Sequence, residues 1–261
     1  MILRSFLRSR WALALKTLPF VALIVLVKFL VHGQQAEFLT LNSLFGAIIS
    51  ANIFLIGFLI SGVLVDYKES EKLPSELSSH LEALTDEVSI VWQNKRDPVA
   101  RAFLRELAEF STLTVSWFYK KTRTDAMMKR LTGFNHFFLA FEPLTQANFI
   151  VRMKQDQAAI RRLLKRADTI RDTSFLGTGY AVAEIITCIL AIGMIFVRMD
   201  PFYESVFFVS FVSFITIYMI MFIRFLDNPF EYRQTDHLVE EVSLKPLLDT
   251  QKRISAAINE K

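Results

Sequence analysis

Four apolar stretches, residues 15–31, 41–65, 175–197 and 203–226, constrain this chain more than any other feature. A bilayer core about 30 Å thick needs roughly 20 apolar residues of helix, and each stretch is of that order. Four spans are therefore expected. The composition calls for something outside the membrane as well: 52% of the residues are hydrophobic but 21% are charged, too many for an all-membrane bundle. Arg4, Arg8 and Arg10 precede the first stretch as they would in a signal peptide. The apolar run is too long for such a peptide and lacks a small-x-small cleavage site near Gly33, so it reads as a retained anchor.

The charge distribution sets the expected orientation. The N-terminal arm carries Arg4, Arg8, Arg10 and Lys16, residues 68–172 hold 18 basic residues, and the tail adds more. The turn at residues 32–40 has no Lys or Arg, and the turn at 198–204 has one. Both termini and the long middle region are expected in the cytoplasm, in a plasma or inner membrane. A net charge of +4 would suit nucleic acid, but the basic residues flank apolar segments rather than forming one patch, so none is expected. The single cysteine, Cys188, provides neither a disulfide nor a cysteine zinc site.

An all-α organisation follows, four membrane helices extended by a cytoplasmic helical bundle, in four parts: residues 1–67 with the first two spans, 68–172 as a cytoplasmic helical region, 173–227 with the last two spans, and 228–261 as a tail. In "DPVARAFLRELAEF", Asp97 is placed to cap a helix whose first residue is Pro98, with Val99, Phe103, Leu107 and Phe110 on one face. A further helix is expected from near Pro143 toward the third span. "FNHFFLAF", residues 134–141, is too short to span; it is either core of the cytoplasmic bundle or an interfacial or intersubunit contact.

The second stretch carries the most specific pattern. Ser43, Ala47, Ser50, Phe54, Phe58 and Ser61 recur at intervals of three or four and share one helix face, mostly small or hydroxylated, with two phenyl rings a turn apart. Such a face suits close helix packing. If several copies ringed an axis, the same face would line a water-filled path and the phenylalanines would narrow it, able to gate by dewetting. Beyond it, Asp66, Glu69, Glu71 and Glu76 gather with Lys68 and Lys72 at the expected cytoplasmic mouth. They form a solvated face or, multiplied in a ring, a cation-attracting one.

Two polar residues lie inside the apolar stretches. Glu184, costly at that depth, needs a partner or a raised pKa; it serves ion passage or proton coupling, or it bonds to a neighbouring helix, for example to Asn52 or Ser50. Asn52 itself reads as an interhelical bonding residue. In the outer turn, "MDPFYES" suggests Asp200 as a cap with Pro201 at the first helical position and Glu204 favouring the helix dipole. No phosphate loop, dinucleotide turn or nucleophile elbow is present. The four histidines, His32, His80, His136 and His237, form no ligand motif, so no enzyme activity, cofactor or metal is expected.

In "RFLDNPFEY", Pro229 lacks a donor and restricts Asn228, so the fourth span must stop or bend; Asp227 or Asn228 can cap a new helix with Phe230 at its start. Asp227, Asn228, Pro229 and Phe230, placed just after a fourth span and followed by a polar tail, resemble the Asn/Asp-Pro-Phe turn of the bestrophin family. "IFLIGFLISGVLVDYKESEK" is similar to that family's second helix, with Gly57 and Phe58 in its glycine-phenylalanine step and Tyr67 and Glu69 in its Tyr-x-Glu position. The resemblance implies a homopentameric ion channel conducting small inorganic ions, with five copies of the second helix lining the pore and Ser50, Phe54 and Phe58 forming the constriction. The animal members' calcium clasp is a run of consecutive acidic residues. Here Glu231, Asp236, Glu240 and Glu241 are dispersed, so calcium gating is not implied. Leu59, Ile60 and Ser61 follow the Gly-Phe step where the family usually has Arg and Asn, so charge selectivity does not carry over either. A non-conducting membrane adaptor is the rival reading of the residues, and a proton-coupled transporter using Glu184 a more distant one.

Overall fold

The computed structural model describes residues 11–172, 177–230, 232 and 242–259. Arg4, Arg8, Arg10, Phe175, Glu231, Asp236, His237, Glu240 and Glu241 lie outside the described residues. Eight helices are found among the rest: α1 (Ala12–Gly33), α2 (Ser43–Lys95), α3 (Pro98–Phe118), α4 (Thr124–Phe141), α5 (Ala147–Asp172), α6 (Gly177–Phe196), α7 (Phe202–Leu226) and α8 (Lys245–Asn259). The fold is all-α. The one departure is a two-residue parallel ladder, β1 (Leu39–Thr40) with β2 (Val197–Arg198), too short to leave a period-two signature.

The described chain divides into two compact units. Residues 11–67 and 177–228 form the first; residues 68–172, 229–230, 232 and 242–259 form the second. Helix α2 contributes to both.

In the first unit α1 packs on α7 and α6, and α6 packs on α7. These helices are apolar nearly all round because lipid rewards that: Leu23, Leu26 and Leu30 of α1 and Phe207 and Phe211 of α7 are all exposed. Polar groups between the helices are tied locally, as where the Thr17 hydroxyl donates to the Leu13 carbonyl at 3.0 Å. A small apolar cluster of Ile56, Leu59, Val63, Ala183, Ile223 and Leu226 joins α2, α6 and α7. Gly193 of α6 lies against the Phe45 ring of α2, where an added Cβ would meet Cε2 at 3.1 Å.

The second unit has a conventional water-excluding core. Asp97 caps α3 by accepting from the Val99 amide at 2.8 Å, with Pro98 at the first helical position, as its sequence dictates. Phe103, Leu107 and Phe110 then point inward and are fully buried. They meet the apolar run of α4: Phe103 lies with its ring centroid 5.1 Å from that of Phe134 and 4.7 Å from that of Phe137. Phe134, Phe138 and Phe141 are core residues, as one reading of that run expects, while Leu139 is 66% exposed. The α5 helix begins at Ala147 rather than near Pro143, because residues 142–145 form a turn. Leu247 and Ile254 of α8 complete the core against α3, and the Arg253 guanidinium pairs with Glu82 at 2.6 Å.

The outer turn corrects one expectation. Pro201, not Asp200, occupies the N-cap position of α7, so the helix starts one residue later than the sequence suggests and Asp200 makes no cap bond. Its carboxylate lies 3.5 Å from Arg198 instead. Glu204 does fall in the first turn.

Candidate functional site

Four apolar segments are long enough to cross a bilayer, carried by α1, the first part of α2, α6 and α7; the protein is a multi-pass membrane protein. On α2 the helical repeat separates a buried side from an exposed one, with Leu44, Ile48 and Ile53 also exposed on its flanks. Asn52, Ile56, Leu59 and Val63 are buried against α6 and α7, while Ser43, Ala47, Ser50, Phe54, Phe58 and Ser61 are all exposed. Phe54 is 78% exposed and Phe58 58%, although both are large aromatics in the middle of a helix whose other side is core. At 1.5 Å per residue the face from Ser43 to Ser61 is about 27 Å long, close to the depth of a hydrocarbon core. The Ser50 hydroxyl donates to the Gly46 carbonyl at 3.0 Å, which satisfies it without a partner from another helix.

Asn52 donates from Nδ2 to the Thr187 hydroxyl of α6 at 2.9 Å, an interhelical bond in a fully buried setting. Glu184 does not bond to Asn52 or Ser50. Its Oε1 accepts from Arg224 of α7, at 2.7 Å from Nε and 2.5 Å from the terminal nitrogen. Ser50 faces away and Asn52 is turned to Thr187, while the Arg224 guanidinium lies beside the carboxylate. The pair satisfies the charge inside the apolar segment.

The acidic residues beyond α2's apolar stretch are not equivalent. Asp66 is half-buried, while Glu71 and Glu76 are exposed. Glu69 forms a two-pronged ion pair with Arg166 of α5, at 2.8 and 2.5 Å. The Arg166 hydrogen bond holds its carboxyl below the usual range, outweighing the burial that would raise it. Its charge is therefore largely matched and contributes little to a free anionic mouth.

In the turn after α7, Asp227 occupies the C-cap position, and its carboxylate accepts the Tyr180 hydroxyl of α6 at 2.7 Å. The expected new helix does not begin here: residues 229–230 form a turn, and the next described helix starts at Lys245. Proline's fixed φ and missing donor stop α7, and the Asp227 carboxylate reaches back to α6. Asn228 is half-buried, and Pro229 is buried. Phe230 is fully buried in the second unit, its ring 5.2 Å from that of Phe118.

Sequence reasoning missed Lys28. It lies in α1, is 0% exposed, and donates to Glu37 at 2.5 Å, to the Ile195 carbonyl at 3.2 Å and to the Val197 carbonyl. Glu37 also meets His32 at 3.0 Å, and the His32 ring stacks on Phe202 with centroids 3.7 Å apart. Burial alone would raise the Glu37 pKa; hydrogen bonds from Lys28 and His32 outweigh it and hold the carboxyl below its usual range. The available signal was a lone lysine inside an apolar run with a glutamate in the following turn. No group of three His, Cys, Asp or Glu side chains among the described residues is placed to hold a metal ion.

No family model matches the chain, and no curated protein matches it in sequence. Solved structures do match. A bacterial bestrophin homologue from Klebsiella pneumoniae, carrying a single substitution, superposes with a TM-score of 0.77 at 13% identity, covering 94% of this chain and all of that one. A second substituted form of the Klebsiella pneumoniae homologue gives 0.73 at 14% identity, covering 93% and 97%. A structure described as a membrane protein gives 0.76 at 13% identity, covering 94% and 99%. Matched over nearly its whole length, the chain has the fold of these bestrophin homologues.

Proposed function

We propose that the protein is an ion channel of the bestrophin family, a homopentamer in which five α2 helices surround the pore and Phe54 and Phe58 form its hydrophobic constriction. The observation that carries this reading is the exposure of those two rings on a face otherwise made of Ser43, Ala47, Ser50 and Ser61. A purely lipid-facing surface gains nothing from three hydroxyls in one line. A pore gains from both parts of the face: the serines keep water on either side, and two rings about 6 Å apart along the axis make a dry neck. The Lys and Arg bias puts both termini and residues 68–172 in the cytoplasm of a plasma or inner membrane, with residues 228–261 as the tail. Small inorganic ions are the cargo. Hydrophobic rings do not choose their sign, and Glu69, already paired, does little to choose it.

The test is recording from purified protein in planar bilayers under a KCl gradient, comparing the native chain with Phe54→Ala plus Phe58→Ala. Discrete currents that grow when both rings are removed support the reading, and the reversal potential gives the charge preference. Silence from both forms, in protein shown to be correctly assembled, sinks it. The small residues on the same face also suit close packing of two helices, which is what a non-conducting adaptor would use. Native mass spectrometry separates the two: a dimer cannot enclose a pore with one helix per subunit, and five subunits would remove the adaptor.

A further inference from the structure

We propose that the loop joining α3 to α4, residues 119–123, is a docking surface for the anionic lipid headgroups of the membrane that holds the protein. The loop reads Tyr-Lys-Lys-Thr-Arg, and Tyr119, Lys120, Lys121 and Arg123 are exposed. Lys120 takes a φ of 57°, ending α3 abruptly while its amide returns to the Trp117 carbonyl at 2.9 Å. The base of the loop is fixed. The Trp117 indole donates to Thr124 at 2.9 Å, the Thr124 hydroxyl donates to Asp168 at 2.6 Å, and the Arg171 guanidinium lies 4.5 Å from the Trp117 ring centre. A rigid base leaves less backbone to be ordered when the cations meet a charged surface.

Among the described residues, the neighbouring acids leave the loop net cationic. Asp168 is engaged by Thr124 and Arg171, and Asp172 lies 3.4 Å from Arg171. Among the described acids, Asp125 faces the loop's own cations, 3.6 Å from Arg123 in a pair almost wholly in solvent, where its attraction is small. Tyr119 adds an aromatic ring beside Tyr232, with centroids 5.1 Å apart, and the Lys121 ammonium lies 5.8 Å from the Tyr119 ring centre. Lys and Tyr side by side, each with an apolar body and a polar tip, are the pair that suits a bilayer interface.

Chain connectivity identifies the surface. Phe118, the last residue of α3, packs on Phe230, which follows the end of α7 at Leu226 by four residues, at most about 14 Å of extended backbone. Arg171, at the loop's base, precedes α6 by six residues. The loop is thus tethered within a short reach of two chain segments that enter or leave the apolar helices. A lipid surface is always within reach there, whereas a soluble acidic partner would have to compete with it.

The test uses the full chain in nanodiscs of phosphatidylcholine alone and of phosphatidylcholine with phosphatidylglycerol, read by hydrogen exchange of the peptide covering residues 117–127. Each basic group near an anionic surface favours the bound state about fivefold, so exchange in residues 119–123 is expected to slow several-fold in the anionic discs. The slowing should disappear in about 1 M salt, where the Debye length falls to roughly 3 Å, and in K120Q/K121Q/R123Q. Equal exchange in both discs, or a slowing that survives high salt, overturns the proposal. The native chain alone supplies the decisive comparison, so the outcome does not depend on how the variant folds, nor on whether the protein conducts.

Discussion

Replacing Lys28 by Met tests whether the buried cluster of the first unit is a structural clamp. Met nearly preserves the volume but removes the only cation bonded to Glu37 apart from His32, and Glu37's side chain is just 7% exposed. Breaking a buried pair from one side costs about 3–5 kcal/mol, because the remaining charge is stranded. The Ile195 and Val197 carbonyls lose a donor as well. His32 keeps one hydrogen bond on Glu37, which argues for the middle of the range, about 4 kcal/mol. For a chain of this size each kcal/mol moves the melting point by roughly 2–4 °C, so Lys28→Met should melt about 8–16 °C lower in detergent. Adding Glu37→Gln removes the stranded charge and should restore more than half of the loss, giving a coupling of about 2 kcal/mol or more in the double-mutant cycle. A Lys28→Met protein that melts within about 3 °C of the native one, or a double variant with losses that simply add, would refute the clamp.

Three further expectations follow from residues already described. The Glu69 carboxyl titrates below its usual range when folded, so the unfolded chain takes up a proton first on acidification; the pair's contribution is complete above the ordinary glutamate range and fades as pH falls through the lowered value. Melting curves from pH 7 downward should therefore show a steeper acid loss for the native chain than for Glu69→Gln, and identical slopes would contradict the assignment. Phe103→Ala, which opens a cavity among four phenylalanine rings, should cost about 3–5 kcal/mol in chemical denaturation of the full chain, and a loss under about 1 kcal/mol would mean that those rings are not the core. Glu184→Gln leaves the Arg224 guanidinium without its carboxylate inside an apolar segment and should lower stability by about 1–3 kcal/mol in nanodiscs; an unchanged melting point would mean that the guanidinium already reaches water.

The spans were legible because lipid selects for hydropathy, a local property. That the membrane helices extend into a helical bundle was legible too, but where α2 ends was not: the apolar run stops near Val65 and the helix continues to Lys95, since leaving lipid for water changes which side chains are favoured and not the backbone. The exposed face of α2 could be read from spacing alone, because residues three and four apart share a side whatever the helix packs on. The ion pairs could not. Lys28–Glu37, Glu184–Arg224 and Glu69–Arg166 join residues 9, 40 and 97 apart, and nothing local to Glu69 distinguishes Arg166 from the other basic residues of the middle region. The Asp227–Tyr180 bond was hidden for the same reason, since its partners lie 47 residues apart.

The placement of α8 has a consequence for how the protein is made. Leu247 and Ile254 fill the same core as Phe103 and Phe134, yet both spans of α6 and α7 are translated between that core's other helices and α8. At a synthesis rate of about 5–20 residues per second, the ribosome needs roughly 4–15 s to go from Asp172 to Leu247. During that interval α2 to α5 stand as an unfinished bundle, with the apolar seat of α8 on α3 open to water and to chaperones. Closure of the second unit thus reports that all four spans have been made, a checkpoint in biogenesis set by nothing more than the order of the helices along the chain.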